Sequence, residues 1–148
     1  MEYILQCSAL SKSFRSNTIL GASASILKNI DCGIVPFSVT GITGESGCGK
    51  STLLNIIGGI DSATSGIVRA GGWDLTSLDE DDQAEYRSHF LGFVFQFHYL
   101  LKDFTALENV YLPAYMAGIS KKEAMSRAER LLEDVGLKDR LHHLPSEL

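Results

Sequence analysis

The fold of this chain is decided by eight consecutive residues, Gly44-Glu45-Ser46-Gly47-Cys48-Gly49-Lys50-Ser51. They match the pattern G-x-x-x-x-G-K-[ST] at every fixed position. The pattern requires a strand before the loop and a helix after it. Residues 35–43 alternate apolar and β-branched side chains, which predicts a buried strand. Residues 50–57 are predicted to form a helix that ends at Gly58-Gly59, so a strand–loop–helix unit organises the predicted fold.

The same stretch is predicted to hold the phosphates of a nucleoside triphosphate, most simply ATP. Glycines let successive backbone N–H groups curl toward one anion, and a helix start adds its positive end. Lys50 would supply a charge to the β- and γ-phosphates, and the hydroxyl of Ser51 or Thr52 would reach Mg²⁺. The alternative is a glycine-rich turn with an accidental lysine. The predicted binding set is Gly44, Glu45, Ser46, Gly47, Cys48, Gly49, Lys50, Ser51 and Thr52.

Composition fits one globular domain and excludes several classes of protein. The 148 residues are 45% hydrophobic, which is enough to bury a core, and the net charge of −5 gives no indication of a nucleic-acid surface. Three unevenly spaced cysteines and a start without an export-signal pattern predict free thiols in a reducing compartment. The most apolar run, residues 53–60, is far shorter than the ~20 residues of a membrane span, so any membrane association is expected through a partner.

The rest of the chain predicts short strands first and helices later. Residues 3–10 are predicted to form a strand, followed by a polar loop at residues 11–13. Further strand pieces are predicted at residues 18–20, 26–27, 67–68, 92–95 and near Trp73. A polar helix is predicted over residues 79–89. Two more helices begin with capping-box patterns, Thr105…Glu108 and Ser120…Glu123, and in the second helix one apolar face would contain Ala124, Ala128, Leu131, Leu132 and Val135.

Two stretches resemble the ATP-binding subunits of ATP-binding cassette (ABC) transporters. Residues 44–54 resemble their Walker A loop, and Gly92-Phe93-Val94-Phe95-Gln96 resembles their Q-loop, a strand that ends in glutamine. The run from Gln96 to Val110 is similar to the ATPase subunits of lipoprotein-releasing and macrolide-export-type transporters. The resemblance covers nearly the whole chain, although its specific parts are these two stretches.

The resemblance implies an α/β fold of the P-loop NTPase class, in its ABC form. Residues from about 1 to 95 would contain the antiparallel β-subdomain and the start of the RecA-like core, and residues from about 96 to 148 would contain the Q-loop and part of the helical subdomain. Gln96 would contact Mg²⁺ and the attacking water and would be catalytic together with Lys50, and Phe14 would stack on adenine. From the residues alone, Gln96 could be an ordinary polar residue at a strand end, and Phe14 a core or loop aromatic.

The resemblance also implies partners and a place in the cell. The partners would be a transmembrane permease subunit, with His98 and Tyr99 in the surface that receives its helix, and a second nucleotide-binding subunit. The chain would lie on the cytoplasmic face of the inner membrane. His89, His142 and His143 show no spacing typical of a metal site and are expected to be solvated.

Three parts that such an ATPase needs do not occur among the 148 residues: a Walker B aspartate with its glutamate, a Ser-Gly-Gly signature, and a switch histidine. Residues 144–148 look like the segment directly before that signature, so we expect the front half of a nucleotide-binding domain, with weak ATP binding and no appreciable turnover by itself. Two alternatives remain open. One is a non-catalytic half-domain, and the other is a small-molecule kinase, for which no arginine-rich lid or acceptor site is evident.

Overall fold

The computed structural model describes residues 2–15 and 23–148, which form two compact units, Met1–Gly92 and Phe93–Leu148. The strand piece predicted at residues 18–20 lies outside the described residues. Within the described part of the chain, no helix combines the length and the apolar character that crossing a membrane would require.

The first unit contains a four-stranded antiparallel sheet. Its strands are β1 (Leu5–Arg15), β2 (Ser23–Ile34), β3 (Ser65–Ala70) and β4 (Trp73–Asp74), in the order β2-β1-β3-β4. Strands are therefore confirmed at residues 26–27, 67–68 and Trp73, and the strand predicted at residues 3–10 is confirmed from Leu5 onward. The polar loop predicted at residues 11–13 is wrong, because β1 continues to Arg15 with register shifts between Cys7 and Ser13. The backbone of these polar residues still pairs with β2 and β3. The register shifts are local irregularities of the kind found at β-bulges, and they do not end the pairing.

Helix α1 (Lys50–Ile57) follows the glycine loop, as predicted, and packs on the sheet. Ile56 is 3% exposed and contributes to a core formed by Cys7, Leu10, Leu27, Ile56 and Val68. Helix α2 (Glu80–His89) confirms the helix predicted there and begins at Asp79, whose carboxylate accepts a hydrogen bond from the amide of Asp82 at 2.9 Å.

Helix α2 also fastens the carboxyl end of α1. The buried hydroxyl of Tyr86 donates to the carbonyl oxygen of Ile57 at 2.9 Å, and the Arg87 guanidinium donates to the carbonyl oxygen of Gly59 at 2.6 Å. The last carbonyls of a helix have no partner inside the helix, so the Tyr86 hydroxyl satisfies a carbonyl of α1, and Arg87 satisfies one in the turn that follows. The position of α1 on the sheet therefore depends on contacts at its far end as well as on the apolar core.

Two predicted strands do not form. Residues 35–43 contain no strand, and Phe37 and Val39 are fully exposed. Residues 92–95 are also outside any strand, and Val94 is fully exposed. Both segments have strand-like sequences, but a strand forms only where a neighbouring backbone satisfies its N–H and C=O groups. The four-stranded sheet of the described residues offers neither segment a neighbour.

The second unit is helical. It contains α3 (Ala106–Met116), α4 (Lys121–Asp134) and two short 3₁₀ turns, Lys138–Arg140 and Pro145–Glu147. The capping box at Thr105 and Glu108 is confirmed in both directions, and Ser120 accepts a hydrogen bond from the amide of Glu123. The apolar face predicted for α4 is confirmed only in part, because Leu131 and Val135 are exposed. The buried core of the unit consists of Ala106, Leu107, Tyr111, Ala124, Ala128 and Leu132.

Candidate functional site: the glycine loop and its cavity

The loop from Gly44 to Gly49 has a backbone that needs glycine at its end. Gly49 is the residue before α1 and has a φ of +99°. A Cβ atom at this position would lie 2.8 Å from Leu27 Cδ2 and 3.0 Å from Ile26 Cγ2, so both the conformation and the space exclude a side chain. Gly47 also has a positive φ, +80°, but a Cβ there would meet no atom within 4 Å. The loop is therefore closed against β2 at Gly49 and open at Gly47.

The first turn of α1 presents unused hydrogen-bond donors beside the loop. No side chain among the described residues caps this helix start, and the first turn contains no acidic residue. The amides at the start of a helix have no carbonyl partner within it, and the helix dipole makes this end positive. An uncapped and uncompensated helix start is suited to an anion that a ligand brings.

The Lys50 side chain turns back across the loop. Its Nζ donates to the carbonyl oxygens of Gly44 at 2.9 Å and Glu45 at 2.7 Å, and lies 3.7 Å from the Cys48 sulfur. The two carbonyl oxygens are neutral acceptors, so no carboxylate compensates the positive charge of the ammonium in these hydrogen bonds. The lysine is thus held at the loop by weak partners that a phosphate oxygen, as a charged acceptor, can replace.

A cavity of about 390 Å³ opens above these groups. Its volume lies within the range of small-molecule sites, roughly 300–1,000 Å³. Phe14 from β1 and Ile26 from β2 form its apolar wall, and the loop and α1 contribute Ser46, Gly47, Gly49, Lys50, Ser51 and Thr52. The structure therefore brings Phe14, which was singled out from the sequence by resemblance alone, next to the predicted phosphate loop.

Lys12 lies next to the aromatic wall of this cavity, and the sequence prediction does not include it. It lies two residues before Phe14 on β1, and its Nζ is 4.8 Å from the centre of the Phe14 ring. It was missed because residues 11–13 were assigned to a polar loop. In a strand, residues two apart lie on the same face. A strand through residues 12–14 would therefore have placed Lys12 and Phe14 side by side.

Gln96 lies in the second unit, not in the unit that holds the loop. It is exposed and lies in a bend that follows residues 92–95. Phe93 and Phe95 stack with ring centres 5.1 Å apart, and Phe95 meets Tyr99 edge-on at 5.2 Å. His98 and Tyr99 are exposed as well. Local aromatic contacts, and not a strand, therefore shape the segment around Gln96.

Among the described residues, no group of three or more histidine, cysteine, aspartate or glutamate side chains is arranged to hold a metal ion. The cysteines in that part of the chain are free: Cys7 is buried, whereas Cys32 and Cys48 are exposed. Burial and the neighbouring Cys32 thiol raise the pKa of Cys7 to about 12, so this thiol stays protonated at neutral pH. The loop hydroxyls of Ser51 and Thr52 are oxygen groups of the kind that Mg²⁺ binds.

The structure is similar to that of solved ATP-binding cassettes. The cassette MJ0796, in a dimeric post-hydrolysis state bound to ADP and Pi, matches with a TM-score of 0.86 and 33% sequence identity. The match covers 97% of this chain and 62% of that one. The predicted fold class, an α/β P-loop NTPase of ABC type that is only partly represented, is confirmed.

Relatives in sequence give the same assignment. The lipoprotein-releasing system ATP-binding protein LolD of Treponema denticola is 54% identical over 145 residues, which cover 98% of this chain and 63% of that protein. LolD of Porphyromonas gingivalis is 52% identical over 126 residues, which cover 85% of this chain and 58% of that protein. The chain thus spans less than two thirds of the length of these relatives. The model of the ABC transporter family matches residues 27–148, and the chain belongs to that family.

Proposed function

We propose that this chain binds the triphosphate of ATP with the loop of residues 44–52 and the first turn of α1. The observation that carries the proposal is the uncapped helix start beside Lys50, whose ammonium donates to two neutral carbonyl oxygens of the loop. Both groups attract an anion, and both line one cavity. The similarity to a cassette bound to ADP and Pi supports a nucleotide as the source of that anion.

Four residues of the cavity have separate tasks in this proposal. Lys50 neutralises charge on the β- and γ-phosphates, and the open space at Gly47 lets phosphate oxygens approach the backbone amides. The exposed hydroxyl of Ser51 is suited to hold Mg²⁺, which would neutralise phosphate charge. The half-exposed ring of Phe14 offers an aromatic surface for adenine.

The relatives are longer than this chain, and we assign Gln96 a role in ATP hydrolysis by a protein of that full length. Gln96 would contact Mg²⁺ and the attacking water. Its exposed position after the Phe93–Phe95 stack supports a role in contacts outside the core of its own unit. The assignment itself comes from the resemblance to the Q-loop. It is a proposal separate from phosphate binding, since Gln96 and the loop belong to different units.

The larger protein would be the ATP-binding subunit of a transporter of the lipoprotein-releasing type. The names of the Treponema and Porphyromonas relatives support this substrate class. Two copies of the subunit would hydrolyse ATP as a dimer and drive a transmembrane permease from the cytoplasmic face of the inner membrane. We propose further that the 148 residues alone bind ATP without turning it over, because they contain no Ser-Gly-Gly signature.

Calorimetric titration of the chain with Mg-ATP tests the binding site. Lys50→Ala should weaken binding about 10- to 100-fold, because it removes charge-assisted hydrogen bonds to phosphate. Lys122→Ala is the matched control, since Lys122 is an exposed lysine on α4 in the other unit. Equal affinities for the wild type and Lys50→Ala would contradict the proposal. Steady-state phosphate release that scales with protein concentration and disappears in Lys50→Ala would contradict the proposed lack of turnover.

A further inference from the structure

The contacts of Lys12 link the aromatic wall of the cavity to the segment that follows α1. Lys12 is only 9% exposed, and its Nζ donates at 2.6 Å both to the Asp61 carboxylate and to the carbonyl oxygen of Ser62. Both acceptors lie in the segment after α1, four and five residues beyond Ile57, its last residue, and the other end of α1 begins the phosphate site. The same Nζ lies 4.8 Å from the centre of the Phe14 ring. One ammonium group therefore contacts both the segment after α1 and the aromatic wall of the cavity.

This geometry restricts how Phe14 can meet a ligand. A cation over one face of an aromatic ring is attracted by the electron density of that face, and it limits the positions that the ring can take. A ligand can then stack only on the other face. Because the cation draws electron density toward itself, the free face becomes a better partner for an electron-rich base such as a purine.

We propose that Lys12 is a positioning residue for the base of the bound nucleotide, acting through Phe14 and held in place by Asp61. The inference rests on the proposed nucleotide site and deepens it. Lys12 fixes the ring relative to the segment after α1, so that the base and the triphosphate fit the same cavity. It contributes to the recognition of the base and not to that of the phosphates.

The test separates these two parts of the ligand. ATP and inorganic tripolyphosphate are titrated into the wild type and into Lys12→Met, which keeps the aliphatic chain and loses the charge. We expect ATP affinity to fall about three- to tenfold in Lys12→Met, the size of a cation–π contact, while tripolyphosphate affinity changes less than about twofold. Lys12→Arg should retain most of the ATP affinity, since a guanidinium can lie over an aromatic face. Lys122→Met serves as the matched control.

Each other outcome overturns a defined statement. An equal loss for both ligands would show that Lys12 supports the fold of the loop and nothing more, and no loss for ATP would remove its role altogether. If the wild type bound tripolyphosphate as tightly as ATP, the base would not be recognised and the inference would fail. If it bound neither ligand, the proposed phosphate site itself would be wrong.

A second variant covers the case in which Lys12→Met does not fold. Removing the lysine leaves the partly buried Asp61 carboxylate without its partner, which destabilises a protein more than removal of both groups does. The double variant Lys12→Met with Asp61→Asn removes both charges. Its ratio of ATP affinity to tripolyphosphate affinity should fall as in the single variant, and an unchanged ratio would contradict the proposal.

Discussion

Helix α1 and the segment before it, residues 35–43, are joined by the glycine loop, and both are rich in apolar residues. Only the helix has the structure that the sequence predicts. Its hydrogen bonds are local, such as Leu53 N to Gly49 O and Gly58 N to Leu54 O, each at 2.9 Å. A strand cannot satisfy its own backbone, and no strand of the described sheet pairs with residues 35–43. The difference shows that apolar alternation predicts the capacity to form a strand, whereas a partner decides whether it forms.

The largest expected effect tests whether the two regions differ in burial as described. Ile56→Ala removes a side chain that is 3% exposed and should lower the free energy of unfolding by about 2–5 kcal/mol. Val39→Ala removes a fully exposed side chain and should change it by less than about 0.5 kcal/mol. Urea unfolding followed by the fluorescence of Trp73, the single tryptophan, reports on the first unit. Comparable losses in both variants would show that residues 35–43 are buried in solution, which would contradict the difference in burial between this segment and α1.

The next effect concerns the contacts that hold the far end of α1. Burial raises the pKa of Tyr86 to about 12, above its ordinary value of about 10. Because the folded-state pKa is raised, the associated stability is complete below pH 10 and is lost as the pH rises from 10 toward 12. A difference of two pKa units corresponds to roughly 2–3 kcal/mol.

Lysines titrate in the same pH range as tyrosine, so the contribution of Tyr86 is measured by comparing the wild type with Tyr86→Phe. The variant lacks the hydroxyl that donates to Ile57, so its stability should be lower at pH 9 and should fall less steeply above pH 10. Urea unfolding at several pH values from 9 to 11.5 measures both curves. Parallel curves would mean that the Tyr86 hydroxyl ionises normally and that the end of α1 is open to water.

The smallest effect compares α3 with Val94, which lies before it in the same unit. Thr105→Ala removes the hydroxyl that accepts from the Glu108 amide and should cost about 1 kcal/mol of stability. Thr105→Ser keeps the hydroxyl and should retain most of that stability. Val94→Ser changes a fully exposed side chain and should cost less than about 0.5 kcal/mol. Circular dichroism at 222 nm during urea unfolding follows the helical unit, and a larger loss in Val94→Ser than in Thr105→Ala would contradict this order.

The sequence was sufficient wherever a structural signal was local. Thr105 and Glu108 predicted a helix start that forms with hydrogen bonds in both directions, and Gly58 ends α1 as predicted. It was insufficient where distant backbones meet. Residues 11–13 look like a loop because their side chains are polar, but their backbone pairs with β2 and β3.

The candidate site likewise has a part that depends on local sequence and a part that depends on contacts between distant residues. By itself the sequence determined the glycine loop, Lys50 and the hydroxyls of Ser51 and Thr52, since these lie within nine consecutive residues and depend on local backbone geometry. Only the tertiary structure decided that Phe14 borders the same cavity and that Lys12 joins its ring to Asp61. Lys12 and Asp61 are 49 positions apart, and only the packing of α1 on the sheet brings an ammonium and a carboxylate so distant in sequence into contact.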